Sequence, residues 1–349
     1  MNEKAPLNVY GIDLFCGAGG LTHGFKMEGL PIVAGIDLDP ACKYPYEYNN
    51  NATFIERDVT DLNGEELRAL FPSGAIQILA GCAPCQPFST YSQRYDAMRD
   101  GKWSLLAEFG RISEELMPDV VTMENVPAVA RHKVFRDFRK KLEELGYSVW
   151  AEVVECADYG VPQSRRRMVL LASRQGPIEL ITPTYSKHRT VRSVIGRMTP
   201  IAAGTHGPRD RLHTASRLTP INKARIRVSK PGGSWRDWPE QLIADCHKVA
   251  SGKTFPSVYG RMEWDKPAPT MTTQCFGFGN GRFGHPTQNR AISLREAAIL
   301  QSFPRTYKFV RPGDPVEFSV VGRLIGNAVP VDLGRAIARS ILGHLANSS

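Results

Sequence analysis

Six short apolar runs, separated by stretches of helical periodicity, constrain the fold of this 349-residue chain more than any other feature. They read VYGIDL (9–14), IVAGID (32–37), AIQILA (75–80), DVVTM (119–123), VWAEVV (149–154) and MVLLA (168–172). Each is apolar enough to be a buried strand of a sheet covered on both faces. Between them Leu105, Phe109, Ile112 and Leu116 recur at helical spacing, as do Val134, Phe138, Leu142 and Leu145, with Gly146 placed to end the second helix. This alternation predicts an α/β fold with a doubly wound sheet.

After Pro183 the pattern dissolves into a stretch rich in Pro, Gly, Thr and Arg, and strong periodicity returns only at about residue 291. There Ser293 and Glu296 have the spacing of a capping box ahead of a short helix ending near Phe303-Pro304, and a last helix is expected over roughly 331–346. The net charge of +9 is concentrated in this irregular insert. From Ser186 to Trp264 there are 15 Lys/Arg against 5 Asp/Glu, whereas the remainder holds 29 basic and 30 acidic residues. Positive charge confined to one segment favours a polyanion partner, because neutralised phosphates release counterions.

Several classes are set aside. No run of 18 apolar residues occurs, so no membrane span is expected. The opening residues lack the apolar core and cleavage site of a signal peptide, and a cytoplasmic location is expected. Seven scattered cysteines do not make a disulfide framework. No second ligand pair accompanies Cys82 and Cys85, so no metal site is expected.

The first strand runs into FCGAGGLTHGF, a glycine-rich turn that lets a ligand approach the backbone closely. Thr22 occupies the position where a dinucleotide fingerprint needs its third glycine. Asp37, twenty residues after Gly17, suits the hydroxyls of a ribose, and Asp58 suits an adenine amino group. A turn without a phosphate signature, followed by two such acceptors, fits S-adenosylmethionine better than a dinucleotide. The stretch GCAPCQPFS (81–89) is open to a redox reading, but Pro87 follows Cys85 too closely to favour a helix with Cys85 in its first turn. Two buried free thiols are the other plain alternative.

Five stretches, in order, resemble motifs of the cytosine carbon-5 DNA methyltransferase family. They are Asp13-Leu-Phe-Cys-Gly-Ala-Gly-Gly20, Gly81-Cys-Ala-Pro-Cys-Gln-Pro-Phe-Ser89, Glu124-Asn125-Val126, Gln163-Ser-Arg165-Arg-Arg167 and Gly326-Asn-Ala-Val-Pro330. Cys82 stands where that family usually carries glycine and Ala83 where proline is common, so Cys82 reads as a bystander. The resemblance implies a Rossmann-like S-adenosylmethionine-dependent methyltransferase fold with a smaller, basic target-recognition domain. Residues 1–185 plus 322–349 are then the catalytic and cofactor-binding domain, 186–290 the target-recognition domain, and 291–321 a connecting hinge.

The same resemblance implies covalent catalysis, since carbon 5 of cytosine is too weak a nucleophile to take a methyl group unaided. Cys85 would add to carbon 6, and Glu124 would protonate or hydrogen-bond ring nitrogen 3. Arg165 would hold the base oxygen or a nearby phosphate, with Arg167 carrying less weight. Phe15, Gly17, Gly19, Gly20, Asp37, Asp58, Leu105 and Asn327 would contact the cofactor. The partner implied is double-stranded DNA with its target base turned out of the stack, bound by a monomer. The insert, including Trp235, Trp238 and GFGNGRFG (277–284), would read the sequence. With no regulatory domain ahead of the first strand, a prokaryotic or phage modification enzyme with a cognate restriction endonuclease is expected. A tRNA cytosine-5 methyltransferase of the same fold and a catalytically inactive DNA-binding homologue are the rivals. The tRNA branch's Cys-Phe-Thr signature is met here only by Cys275-Phe276-Gly277, and the intact Cys85, Glu124 and Arg165 argue against decay.

Overall fold

Ile12 and Leu14 on strand β1 (Val9–Leu14) are fully buried, and so is Asp13 between them, so the strand is covered on both faces as its apolar run predicts. In the computed structural model, which describes residues 7–84 and 104–348, the chain continues as α1 (Gly20–Met27), β2 (Ile32–Asp37), α2 (Lys43–Asn50), β3 (Thr53–Glu56), α3 (Gly64–Arg68) and β4 (Ile76–Gly81). Then come α4 (Ser104–Leu116), β5 (Val120–Asn125), α5 (Lys133–Glu144), β6 (Ser148–Glu155) and β7 (Arg166–Ser173). All six strands expected from apolar runs form, with ends shifted by no more than two residues.

The seven strands make one sheet in the order β3-β2-β1-β4-β5-β7-β6. β1 to β5 pair in parallel, whereas β7 runs antiparallel to both β5 and β6. The reversal has a local cause. A parallel crossover needs a dozen or more residues, usually with a helix, and the 156–165 connection holds only the short 3-10 turn Cys156–Tyr159. From β1 the chain moves outward to β2 and β3, then returns to β4 on the other side of β1. The carboxyl ends of β1 and β4 therefore lie at the point where strand order reverses, which in such sheets is where ligands bind.

Helices cover this sheet with the faces their spacing predicts. Phe109 of α4 stacks on Phe138 of α5 at 5.3 Å, and both belong to a core with Ile12, Leu79, Val121 and Leu170. α11 (Val331–Ser348) lies against α1, because Gly24 presents no Cβ to the backbone of Val331 and Gly334. Arg335 and Arg339 of α11 pair with Glu28 just past the end of α1.

The chain separates into two compact units. The first comprises Met1–Tyr159, Arg166–Thr184 and Val329–Ser349; the second comprises Gly160–Arg165 and Tyr185–Ala328. Within the second, α6 (Val191–Ile195), α7 (Pro220–Val228), α8 (Asp245–Lys248), α9 (Leu294–Leu300) and α10 (Phe318–Asn327) are joined by long irregular segments. The capping box of Ser293 and Glu296 forms as expected, and every residue of α9 is buried. Trp235 and Trp238 are not surface readers of sequence. Both are buried in a core with Ile226 and Phe278, their indole N–H groups donating to the Phe255 carbonyl and to Ser229 Oγ. A short basic segment without long helices must build its core from large side chains, and these two supply it.

Some of the arginines are structural as well. Arg261 is buried and donates to the carbonyls of Ile226, Ser229, His285 and Gln288. Fully buried Arg290 pairs with both oxygens of Glu296. Twelve of the 15 basic residues between Ser186 and Trp264 nonetheless remain exposed, so the charge excess is a surface property.

Candidate active site

Five strand ends on the carboxyl edge of the first unit carry its candidate residues. At the end of β1 the backbone turns through left-handed conformations at Phe15 (φ 57), Gly17 (φ 53) and Gly19 (φ 83). Only glycine adopts that region freely, and Phe15 there is an outlier of the kind that clusters at functional sites. Its half-buried ring packs on the sheet core. A Cβ added at Gly17 would meet nothing within 4 Å, so the turn opens onto free space. Gly20 begins α1 and is buried. No residue from Phe15 to Gly20 carries a charge.

Asp37, the last residue of β2, holds this turn in place. One carboxylate oxygen accepts the Gly17 N–H at 2.9 Å and the other accepts the Asp39 N–H at 2.9 Å. Burial pushes its carboxyl above the ordinary range although both amides stabilise its charge. Below the turn, buried Asp13 accepts the Thr22 hydroxyl at 2.7 Å, and burial raises its pKa from 3.8 to about 7. Asp58, just after β3, accepts from the Thr60 amide and hydroxyl. Leu105 is half-buried in the first turn of α4.

The ends of β4 and β5 are tied together. Glu124, next to last on β5, is 3% exposed. Its Oε1 lies 2.8 Å from Arg167 Nε of β7, an ion pair not aligned as a hydrogen bond. Its Oε2 accepts the Cys82 thiol at 3.0 Å. Asn125 donates through Nδ2 to the Ala83 carbonyl at 3.1 Å. Cys85 lies outside the described residues, but Pro84 directly before it is within them. Burial pushes the nearby Cys16 thiol well above the usual thiol range, which makes it a poor nucleophile.

Of the sequence-predicted catalytic residues, the first unit brings together Glu124 and Arg167. Arg165 belongs to the second unit, where it is buried and donates to the Met271 carbonyl at 3.0 Å and the Ala328 carbonyl at 3.5 Å. Asn327, the last residue of α10, is exposed in that same unit. The strand ends gather Phe15, Gly17, Gly19, Gly20, Asp37 and Asp58 along one edge. Sequence reasoning missed the bond from Cys82 to Glu124, which joins residues 42 apart. The only available signal was that both follow apolar runs at strand ends.

Comparisons with known proteins identify the family. The sequence profile of the C-5 cytosine-specific DNA methylase family matches residues 9–343. The chain is 57% identical over 336 residues to the Type II methylase M.HgiDII of Herpetosiphon aurantiacus, covering 95% of this chain and 94% of that protein. It is 30% identical to the Type II methyltransferase M.Eco47II of Escherichia coli, covering 98% of this chain and 81% of that protein. Among solved structures, one described as a DNA modification methyltransferase encoded within an E. coli prophage superposes with a TM-score of 0.69 at 21% identity, covering 97% of this chain and 99% of that one. That likeness speaks for the fold. The chain therefore belongs to the C-5 cytosine-specific DNA methylase family and is a DNA methyltransferase acting at carbon 5 of cytosine.

Proposed function

We propose that this enzyme transfers the methyl group of S-adenosylmethionine to a cytosine turned out of double-stranded DNA, through a transient adduct on Cys85. We assign it the modification role in a restriction–modification system, a reading supported by its likeness to Type II methylases. The observation that carries the mechanism is Glu124, a buried carboxylate with a cation on one oxygen and a thiol on the other, at the strand end beside the segment leading into Cys85.

The residues at the carboxyl edge fit the methyl donor. Phe15, Gly17, Gly19 and Gly20 form an uncharged turn open at Gly17, which lets the nucleoside part of the donor approach the backbone closely. The Asp37 carboxylate, fixed by backbone amides of Gly17 and Asp39, would accept from the ribose hydroxyls. Asp58 would take the adenine amino group, and Phe15 and Leu105 its faces. When bound, S-adenosylmethionine supplies a methyl group made electrophilic by its sulfonium.

The chain's own residues do the rest. Cys85 adds as a thiolate to carbon 6 of the base, and electron density passes to carbon 5. Once that carbon is methylated, loss of its proton to water expels the Cys85 thiolate. Glu124 holds the proton shared with ring nitrogen 3 and so draws off the charge that develops there. Arg167 fixes Glu124 through Oε1. Arg165, engaged with carbonyls of its own unit, orders the backbone at Met271 and Ala328. Flipping the base costs a few kcal/mol, offset by phosphate contacts from the exposed basic residues of the second unit.

The test uses labelled S-adenosylmethionine with mixed-sequence DNA, with tRNA offered in parallel, for the wild type and Cys85→Ala. Bisulfite sequencing should place the label at cytosines within one repeated sequence context, with none in Cys85→Ala and none on tRNA. Undiminished transfer by Cys85→Ala would remove the covalent step, and absence of transfer would remove the donor.

A further inference from the structure

Cys82 is anchored on three sides. Its amide donates to the Leu14 carbonyl at the end of β1 at 3.2 Å, and the carbonyl of the following Ala83 accepts Asn125 Nδ2. Its side chain donates to Glu124 Oε2 at 3.0 Å. The backbone of this residue is thus fixed to both neighbouring strands before its thiol reaches the carboxylate.

The terminal torsion of a glutamate is broad and roughly two-fold, so nothing in the residue itself sets the plane of its carboxylate. Here two partners act on opposite oxygens, Arg167 on Oε1 and Cys82 on Oε2. Either alone leaves the group free to pivot about the oxygen it holds. Together they fix the plane. A thiol is a weak donor, so it restrains the carboxylate while drawing little on its ability to hold a proton. Oε2 also keeps a second lone-pair site for that proton.

We propose that Cys82 is a positioning residue for methyl transfer, its thiol locking the Glu124 carboxylate in the plane from which its proton is presented to the target ring. The proposal rests on the reading of Glu124 as the proton-holding group. It assigns Cys82 no covalent role and no contact with the base.

Full-length protein is assayed with labelled S-adenosylmethionine on unmethylated mixed-sequence DNA, in steady state and in single turnovers, for the wild type, Cys82→Ala, Cys82→Ser, Glu124→Gln and the Cys82→Ala/Glu124→Gln double variant. Cys82→Ala should lower kcat roughly tenfold, the scale of one oriented hydrogen bond, with KM for DNA and donor unchanged. Cys82→Ser keeps a donor at the same place and should recover most of the rate. In the Glu124→Gln background, Cys82→Ala should have no further effect, because the carboxylate it acts through is gone. Wild-type kcat in Cys82→Ala, beside a slow Glu124→Gln, overturns the role of Cys82 alone. Wild-type kcat in Glu124→Gln overturns the underlying reading of Glu124. A loss that Cys82→Ser does not recover, or that is equal in both backgrounds, assigns Cys82 to the fold instead and overturns the proposal.

Discussion

At the scale of single residues, the first unit buries two carboxylates in different surroundings. Glu124 has a guanidinium beside it, whereas Asp13 has the Thr22 hydroxyl and backbone amide against the cost of burial. Burial therefore dominates at Asp13 and lifts its pKa from 3.8 to about 7. The consequence for stability has a definite sign. Below pH 3.8 both native and unfolded chains are protonated at this site and folding is not opposed. As pH rises from there to about 7 the unfolded chain releases a proton that native Asp13 retains, so stability falls across that window and then levels off. The full effect is roughly 4 kcal/mol at 1.36 kcal/mol per pKa unit. Asp13→Asn keeps an acceptor for Thr22 and removes the titration. Its stability relative to wild type, from urea unfolding at pH 5 and pH 8, should be higher at pH 8. An equal difference at both pH values would contradict burial as the cause.

At the scale of elements, two contacts decide what periodicity left open. β7 is antiparallel because its connection from β6 is too short for a crossover, and that places Arg167 on the strand beside Glu124. α1 and α11 meet through glycine, since a Cβ at Gly24 would lie 2.5 Å from the Val331 carbonyl oxygen and 2.7 Å from the Arg335 amide nitrogen. Alanine in a helix interior is intrinsically better than glycine by about 1 kcal/mol. Against backbone atoms that cannot rotate away, overpacking of about 1–3 kcal/mol should win. Gly24→Ala is thus expected to lower the unfolding midpoint. Gly343→Ala, on α11 with nothing within 4 Å of its Cβ, should raise it. A rise in both would mean that helix propensity, not packing, governs both.

At the scale of the whole molecule, the charge excess and the second unit coincide. That unit uses Trp235 and Trp238 for its own core and leaves 12 lysines and arginines of the insert exposed. Lys223 and Arg227 lie one helical turn apart on α7, with Lys230 just beyond, and all three are exposed. For every phosphate that is no longer neutralised, the slope of log affinity for DNA against log salt should flatten by about 0.9. Replacing the three with alanine should weaken binding evenly across DNA sequences, as read by fluorescence anisotropy at several salt concentrations. An unchanged slope would move the phosphate-binding cations elsewhere on this surface.

The sequence alone determined six of the seven strands, the helices α4, α5 and α11, and the family, because apolar periodicity and short motifs are local properties that survive without the fold. It also determined where charge accumulates, since a count of lysines and arginines needs no coordinates. The tertiary structure decided which side chains share a strand end. Glu124 is 42 residues from Cys82 and 43 from Arg167, and no spacing rule links residues brought together by strand order. It also decided that Trp235 and Trp238 serve as core and that Arg261 and Arg290 serve as internal donors. A residue type fixes what a side chain is able to do, but burial and partners are set by segments far away in the chain, and only the packed molecule brings those segments together.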